Sequence, residues 1–245
     1  MGLTAKGLIV REHNIGEADR FVTVLTDRFG IIRASVRGAR RVNSRAGAST
    51  RLLSYASLSL CKGRDKFIVE TAVPERVFFA TGGTVEQVAL AQYFCELFGT
   101  LAPREEEAEA YLSLLLNALH LLEKGEHRDR IKAVTELRLL AMAGYRPTLS
   151  GCRCGQGEGV RYFEPTSGVL CCDRCRLNGA AALSPTVFDA MRFILQSPPS
   201  RCFAFRLPDE ACLQLADIAE QFMIAQVSRR FQTLEFYHTV SEFQV

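Results

Sequence analysis

Residues 19–41 read DRFVTVLTDRFGIIRASVRGARR, and the pattern of this stretch decides what the N-terminal third becomes. Two short runs rich in Val, Ile, Phe and Thr flank the step from Asp27 to Gly30, a group of turn-forming residues, as two strands joined by a tight connection do. Three further runs extend the pattern: KGLIVREHN from Lys6, SYASLSLCKG from Ser54 and KFIVETAVPE from Lys66. The run from Ser54 alternates cleanly, with Ala56, Leu58 and Leu60 on one face and Ser57 and Ser59 on the other, as a half-buried strand requires. Five strands in about 80 residues predict a small closed barrel. A five-stranded Greek-key OB-fold, with one face left free for single-stranded nucleic acid, fits this count, and an SH3-like barrel fits nearly as well.

The same third carries the charge. The whole chain has 245 residues and a net charge of +3, but residues 1–80 hold 14 Lys and Arg against 7 Asp and Glu. From Arg28 to Arg64 there is no acid, while Arg33, Arg37, Arg40, Arg41 and Arg45 crowd together around Gly38. A solvated surface normally mixes its signs. Arginine offers a planar fork that grips phosphate and a flat face on which bases stack, so these five are the candidate DNA contacts. Phe21, Phe29, Tyr55 and Phe67 lie in the barrel region and are expected in its core in preference to serving as platforms for bases.

After Gly82 and Gly83 the apolar period changes from two to about 3.6. Thr84 with Gln87 resembles a capping box, and Leu90, Tyr93, Phe94, Leu97 and Phe98 follow at helical spacing. A second helix carries Leu112, Leu115, Leu116 and Leu119, opened by the acids Glu105 to Glu107, and a third runs from about Arg128 to Gly144. Ser184 and Pro185 begin a fourth, and a final long helix from Pro208 is expected to continue to Tyr237. The helices on either side of the cysteine-rich segment are expected to form one bundle. The fold class is therefore α+β: an N-terminal five-stranded OB-fold barrel, then an α-helical bundle with an inserted zinc-knuckle-like module. The expected boundaries are 1–80 for the barrel, 81–150 and 180–245 for the helical domain, and 151–179 for the module.

That module, CRCGQGEGVRYFEPTSGVLCCDRC from Cys152 to Cys175, holds five of the nine cysteines. Two cysteine groups across a loop are the sequence form of a structural zinc site, since two facing turns supply thiolates to tetrahedral corners. Cys152, Cys154, Cys172 and Cys175 are the candidate Zn2+ ligands. Cys152 and Cys154 are separated by only Arg153, where two residues are usual, and Cys171 is a spare thiol that could substitute. Cys61, Cys95, Cys202 and Cys212 sit in apolar contexts as core residues. No basic n-region with a long apolar stretch opens the chain and no segment approaches a membrane span, which implies a cytosolic protein with no membrane partner. No histidine or acid lies in a pattern that would activate a thiol, so no catalytic residue is expected.

In order of parts, the chain resembles the bacterial recombination mediator family RecO. The most specific segment is Asp19 to Arg45, where VTVLTDRFG feeds a strand and then RGARR, and SGVLCCDRC resembles the second half of that family's zinc knuckle, favouring Cys172 over Cys171. The resemblance implies a non-enzymatic DNA-repair protein that binds single- and double-stranded DNA and anneals complementary strands. It also implies that such a protein binds the acidic C-terminal tail of the single-stranded-DNA-binding protein and acts with RecR to load RecA, the last an indirect partner. Read from the residues alone, two other classes stay open: an adaptor whose basic loop grips an acidic partner tail, and a zinc-dependent enzyme acting on nucleic acid, which needs an open coordination position.

Overall fold

The computed structural model describes residues 2–41, 44, 46–64, 66–155 and 160–242. Strands β1 (Leu3–Ile15), β2 (Asp19–Thr26), β3 (Gly30–Val36), β4 (Ser54–Lys62) and β5 (Phe67–Val77) close a barrel in the order β1-β2-β3-β5-β4. All pairings are antiparallel except β3 with β5, which meet in parallel at Ala34 with Phe67 and Ser35 with Ile68. This is the OB-fold. Its closure leaves no long edge strand to recruit a stray chain.

The period-two pattern fills the barrel. Val22 and Val24 on β2, Ile32 and Ala34 on β3, and Leu58 and Leu60 on β4 turn inward and pack together. The shift of register between Ile9 and Arg11 on β1 returns Arg11 and His13 to the outer face. Gly30 ends the β2–β3 turn at φ +59, and a Cβ there would lie 2.2 Å from the carbonyl oxygen of Pro103. Only glycine permits that approach. The segment after α1 (Val85–Leu101) consequently laces along the turn, with Ile31 N–H donating to Pro103 at 2.8 Å, Glu105 N–H to Phe29 at 3.0 Å and Ala108 N–H to Asp27 at 2.8 Å.

The described residues group into two compact units, 1–125 with 231–245 and 126–230. In the first, α1 begins at a true capping box, Thr84 with Gln87. It packs with α2 (Glu109–Glu123) and with α6 (Gln232–Glu242), where Phe231 meets Tyr93 edge-on at 6.0 Å and Thr233 Oγ1 donates to Glu96 at 2.6 Å. In the second, α3 (Arg128–Met142) packs on α4 (Pro185–Gln196) and α5 (Asp209–Val227). Ser184 caps α4 and Pro185 occupies its first turn; Arg138 and Arg146 close its other end by donating to the Ile194, Leu195 and Ser197 carbonyls. A four-stranded sheet in the order β6-β8-β7-β9 is inserted between α3 and α4.

The helices therefore sort by contact and not by chain segment. The expected single helix from Pro208 to Tyr237 is two: Ser228 takes φ +49, α5 ends, and the chain leaves the second unit before α6. No glycine or proline marks this break, and Phe231 and Leu234 continue the apolar pattern across it.

Candidate nucleic-acid interface and metal centre

The candidate arginines fall into two kinds. Arg33 projects from β3 between the buried Ile32 and Ala34, and Arg37 follows the buried Val36, so alternation puts both on the outside. Arg33, Arg37 and Arg41 are exposed, and their side chains make no hydrogen bond or ion pair among the described residues. Arg40 is different: its Nη1 donates to the Gly16 carbonyl at 2.7 Å and its N–H to Ala18 at 3.0 Å. Gly38, at φ +63, makes the turn possible, and its N–H donates to Asp19 Oδ1 at 2.8 Å. Arg40 thus ties the basic turn to the β1–β2 turn. Arg45 lies outside the described residues.

A sixth arginine was not singled out by its sequence context. Arg20 lies on the inward side of β2 with Val22 and Val24, and its Nη1 donates to the buried Gly47 carbonyl at 2.9 Å. Its Nε sits 3.4 Å from Glu12 Oε2. It anchors the return of the basic segment from inside. Period two places residue 20 with 22 and 24, and that was the signal available.

Two aromatics expected in the core are not there. Phe21 and Tyr55 are half-buried on the outer face, because their neighbours Arg20, Val22, Ser54 and Ala56 take the inner positions. The Lys66 ammonium lies 3.9 Å from the Phe21 ring centroid. Phe29 and Phe67 pack against the core, their rings 6.0 Å apart.

The cysteines meet because β6 (Thr148–Cys152) and β8 (Val169–Cys172) are neighbours. β7 (Val160–Glu164) and β9 (Ala181–Ala182) complete the sheet. Cys152 and Cys172 end their strands, and Cys154 and Cys175 sit in the turns that follow. All four Sγ atoms lie within 4.8 Å of one another. The separations are 3.1 Å for Cys152–Cys175, 3.3 Å for Cys152–Cys154, and 3.8 Å for Cys154–Cys172 and Cys172–Cys175. Thiolates about 2.3 Å from a tetrahedral zinc stand about 3.8 Å apart, so the group fits that ion with little adjustment.

The one-residue gap is accommodated by glycines. Gly151 and Gly155, both at φ +77, bracket the turn, and Gly155 N–H donates back to the Cys152 carbonyl at 2.9 Å. Cys171, next to Cys172 on β8, is buried and outside the four-thiol group. Burial pushes its thiol up. The Cys154 amide, with help from the neighbouring thiols, draws the Cys152 thiol down to about 6, while Cys175, beside Cys152, is pushed up to about 12. Crowded thiols that hold on to a shared proton form a site whose charge a divalent cation would balance.

Both sites fall within one family. Residues 1–72 match the family described as Recombination protein O N terminal, and residues 83–235 match Recombination protein O C terminal. The chain belongs to the RecO family. Among curated relatives, the DNA repair protein RecO of Symbiobacterium thermophilum is 32% identical over 243 residues, covering 96% of each chain. That of Acetivibrio thermocellus is 29% identical over 99% of this chain and 98% of its own, and that of Roseiflexus sp. is 36% identical over 79% and 70%. The N-terminal RecO match contains all the candidate arginines and the C-terminal match all four cysteines. Among the described residues no helix is long and apolar enough to cross a membrane.

Proposed function

We propose that this chain is a DNA-binding mediator of recombinational repair that performs no covalent step. The observation that carries the reading is the set of exposed, unpaired arginines, Arg33, Arg37 and Arg41, on one side of a closed barrel in a stretch without an acid. Such a surface holds phosphates of any sequence, on single or double strands, and releases counterions as it does so. A protein that neutralises two strands together lowers the repulsion opposing their encounter, which gives annealing a physical route. Family membership and the relatives' names support repair as the setting. Engagement of RecR, capture of the acidic tail of the single-stranded-DNA-binding protein and help in loading RecA belong to the same proposal, with the protein working in the cytoplasm.

Cys152, Cys154, Cys172 and Cys175 would hold Zn2+ as a structural ion, tying β6 to β8 and adding folding energy to a small sheet. Four thiolates fill a tetrahedral shell and leave no open position for a metal-bound nucleophile, which supports a non-enzymatic reading.

The test is anisotropy of a labelled single-stranded oligonucleotide across a salt series, comparing the protein with the variant Arg33→Ala, Arg37→Ala, Arg41→Ala. At about 0.7 in log–log slope per phosphate contact on a single strand, the variant should lose about 2 units. Unchanged slope and affinity would move the DNA surface elsewhere. No binding by either protein, with saturable binding of an acidic peptide to the unmodified one, would establish the adaptor instead.

A further inference from the structure

The same barrel face carries an aromatic that the charge argument does not use. Phe21 stands opposite His13 on β1 and Ser35 on β3. Side chains two residues along a neighbouring strand share the face, roughly 7–8 Å away. Arg11 is therefore a diagonal neighbour on β1, and Arg33 and Arg37 are the two beyond Ser35 on β3. Lys66, with its ammonium 3.9 Å from the ring centroid, supplies a fourth cation. Arg11, Arg33, Arg37 and Lys66 are exposed, with no ion pair among the described residues, and Asp19, the acid on the flanking row, already accepts from Gly38.

The ring has no packing duty inside the barrel, since it lies outside the core cluster. Ser35, opposite, is too small to cover it. A half-exposed aromatic ringed by cations matches one ligand chemistry closely: a flat base between two phosphates. In a duplex both faces of each base are already stacked and only base edges and backbone are offered, whereas a single strand presents bases free to stack on a side chain.

We propose that Phe21 is a base-stacking platform that makes this face select single-stranded over duplex nucleic acid, with Lys66 as the cover that a base displaces. The inference rests on the DNA-binding reading above and narrows it. The arginines supply affinity for any backbone; Phe21 supplies the preference between strand forms. Lys66, once displaced, remains within reach of the phosphate beside the stacked base.

The experiment uses the full chain, a labelled oligo-dT and a duplex of equal length. Phe21→Ala should weaken oligo-dT binding about tenfold, the range expected for losing one stacked base, and change duplex affinity less than twofold. Phe21→Tyr keeps a ring and should restore the single-strand preference. The chain has no tryptophan, so Phe21→Trp installs a sole tryptophan, excited selectively at its red edge, at the site. Its emission should be quenched by oligo-dT and little affected by duplex. An equal loss on both ligands in Phe21→Ala, unchanged oligo-dT affinity, or equal quenching by both would overturn the inference while leaving the DNA-binding reading intact. Failure of the unmodified protein to bind either ligand would remove both.

Discussion

Arg20 separates an arginine that builds the interface from one that touches the ligand. Its side chain is 9% exposed, and Nη1 donates to Gly47 O at 2.9 Å and to Thr50 Oγ1 at 3.4 Å. Replacing it by methionine keeps most of the volume and removes every donor. The buried Gly47 carbonyl would lose its charged donor and keep the Thr50 hydroxyl at 3.5 Å, and a hydrogen bond to a charged group is worth about 1.5–3 kcal/mol. The lost pairing with Glu12 adds less than the roughly 3–5 kcal/mol of breaking a fully buried ion pair, because Glu12, 27% exposed, can turn to water. Together these give about 3 kcal/mol for Arg20→Met and about half that for Arg20→Lys, which keeps the charge and an ammonium but not the planar fork. The assay is urea unfolding followed by circular dichroism, where the midpoint should fall at unchanged slope m. The DNA measurement supplies the contrast. Arg20 is too deep to reach phosphate, so Arg20→Met should leave the salt dependence of oligonucleotide binding unchanged, while Arg33→Ala lowers its slope by about 0.7. An Arg20→Met protein of full stability whose slope falls as far as that of Arg33→Ala would refute the anchoring role.

Two further outcomes test the frame and the cysteine cluster. Gly30→Ala, whose Cβ would lie 2.2 Å from Pro103 O, should cost about 3 kcal/mol from crowding and left-handed strain combined, whereas Gly16→Ala, at φ +56 with nothing within 4 Å, should cost about 1 kcal/mol; equal urea midpoints would refute the close approach. Cys154→Ser should purify with little zinc and Cys171→Ser with about one equivalent, measured by metal release into a colorimetric chelator. That release should grow as pH falls, because protons compete for the thiolates.

The barrel was legible because its signals are local. Alternation on β4 and the turn residues Asp27 to Gly30 specify strands without reference to anything distant, and the caps Thr84 and Ser184 mark helix starts in the same way. What escaped was the choice of partner. Periodicity shows that a face is buried but not against what, so the apolar pattern through Phe231 and Leu234 gave no hint that α6 packs with α1 after a break at Ser228. Phe21 and Arg20 escaped for a shared reason. Hydrophobicity puts the phenylalanine inward and nothing in the composition singles out the arginine, while strand parity, the stronger constraint in a closed barrel, turns Phe21 out and Arg20 in. At the cysteine turn, spacing alone leaves out the glycines at 151 and 155, whose positive φ lets a one-residue gap present two thiols to one point.

These assignments limit what the excess charge can do. Counting lysines and arginines credits the N-terminal third with more positive charge than the candidate interface presents freely, because Arg20 is buried and donates to the Gly47 carbonyl, Arg40 commits its Nη1 to the Gly16 carbonyl, and Lys6 pairs with Glu75 at 2.9 Å. On the outer face of β1, β2 and β3 and its adjoining turn, the described cations free to meet phosphate are Arg11, Arg33, Arg37, Arg41 and Lys66. Five contacts at about 0.7 each give a salt slope of about 3.5 on a single strand. A slope near that value would mean that the barrel face accounts for the electrostatic part of binding. A slope well beyond it would require phosphates held elsewhere on the chain, and the arginine triple variant would then retain most of its salt sensitivity. A protein that brings two strands together needs room for both, so the excess over the barrel's share measures directly whether the second strand has its own surface.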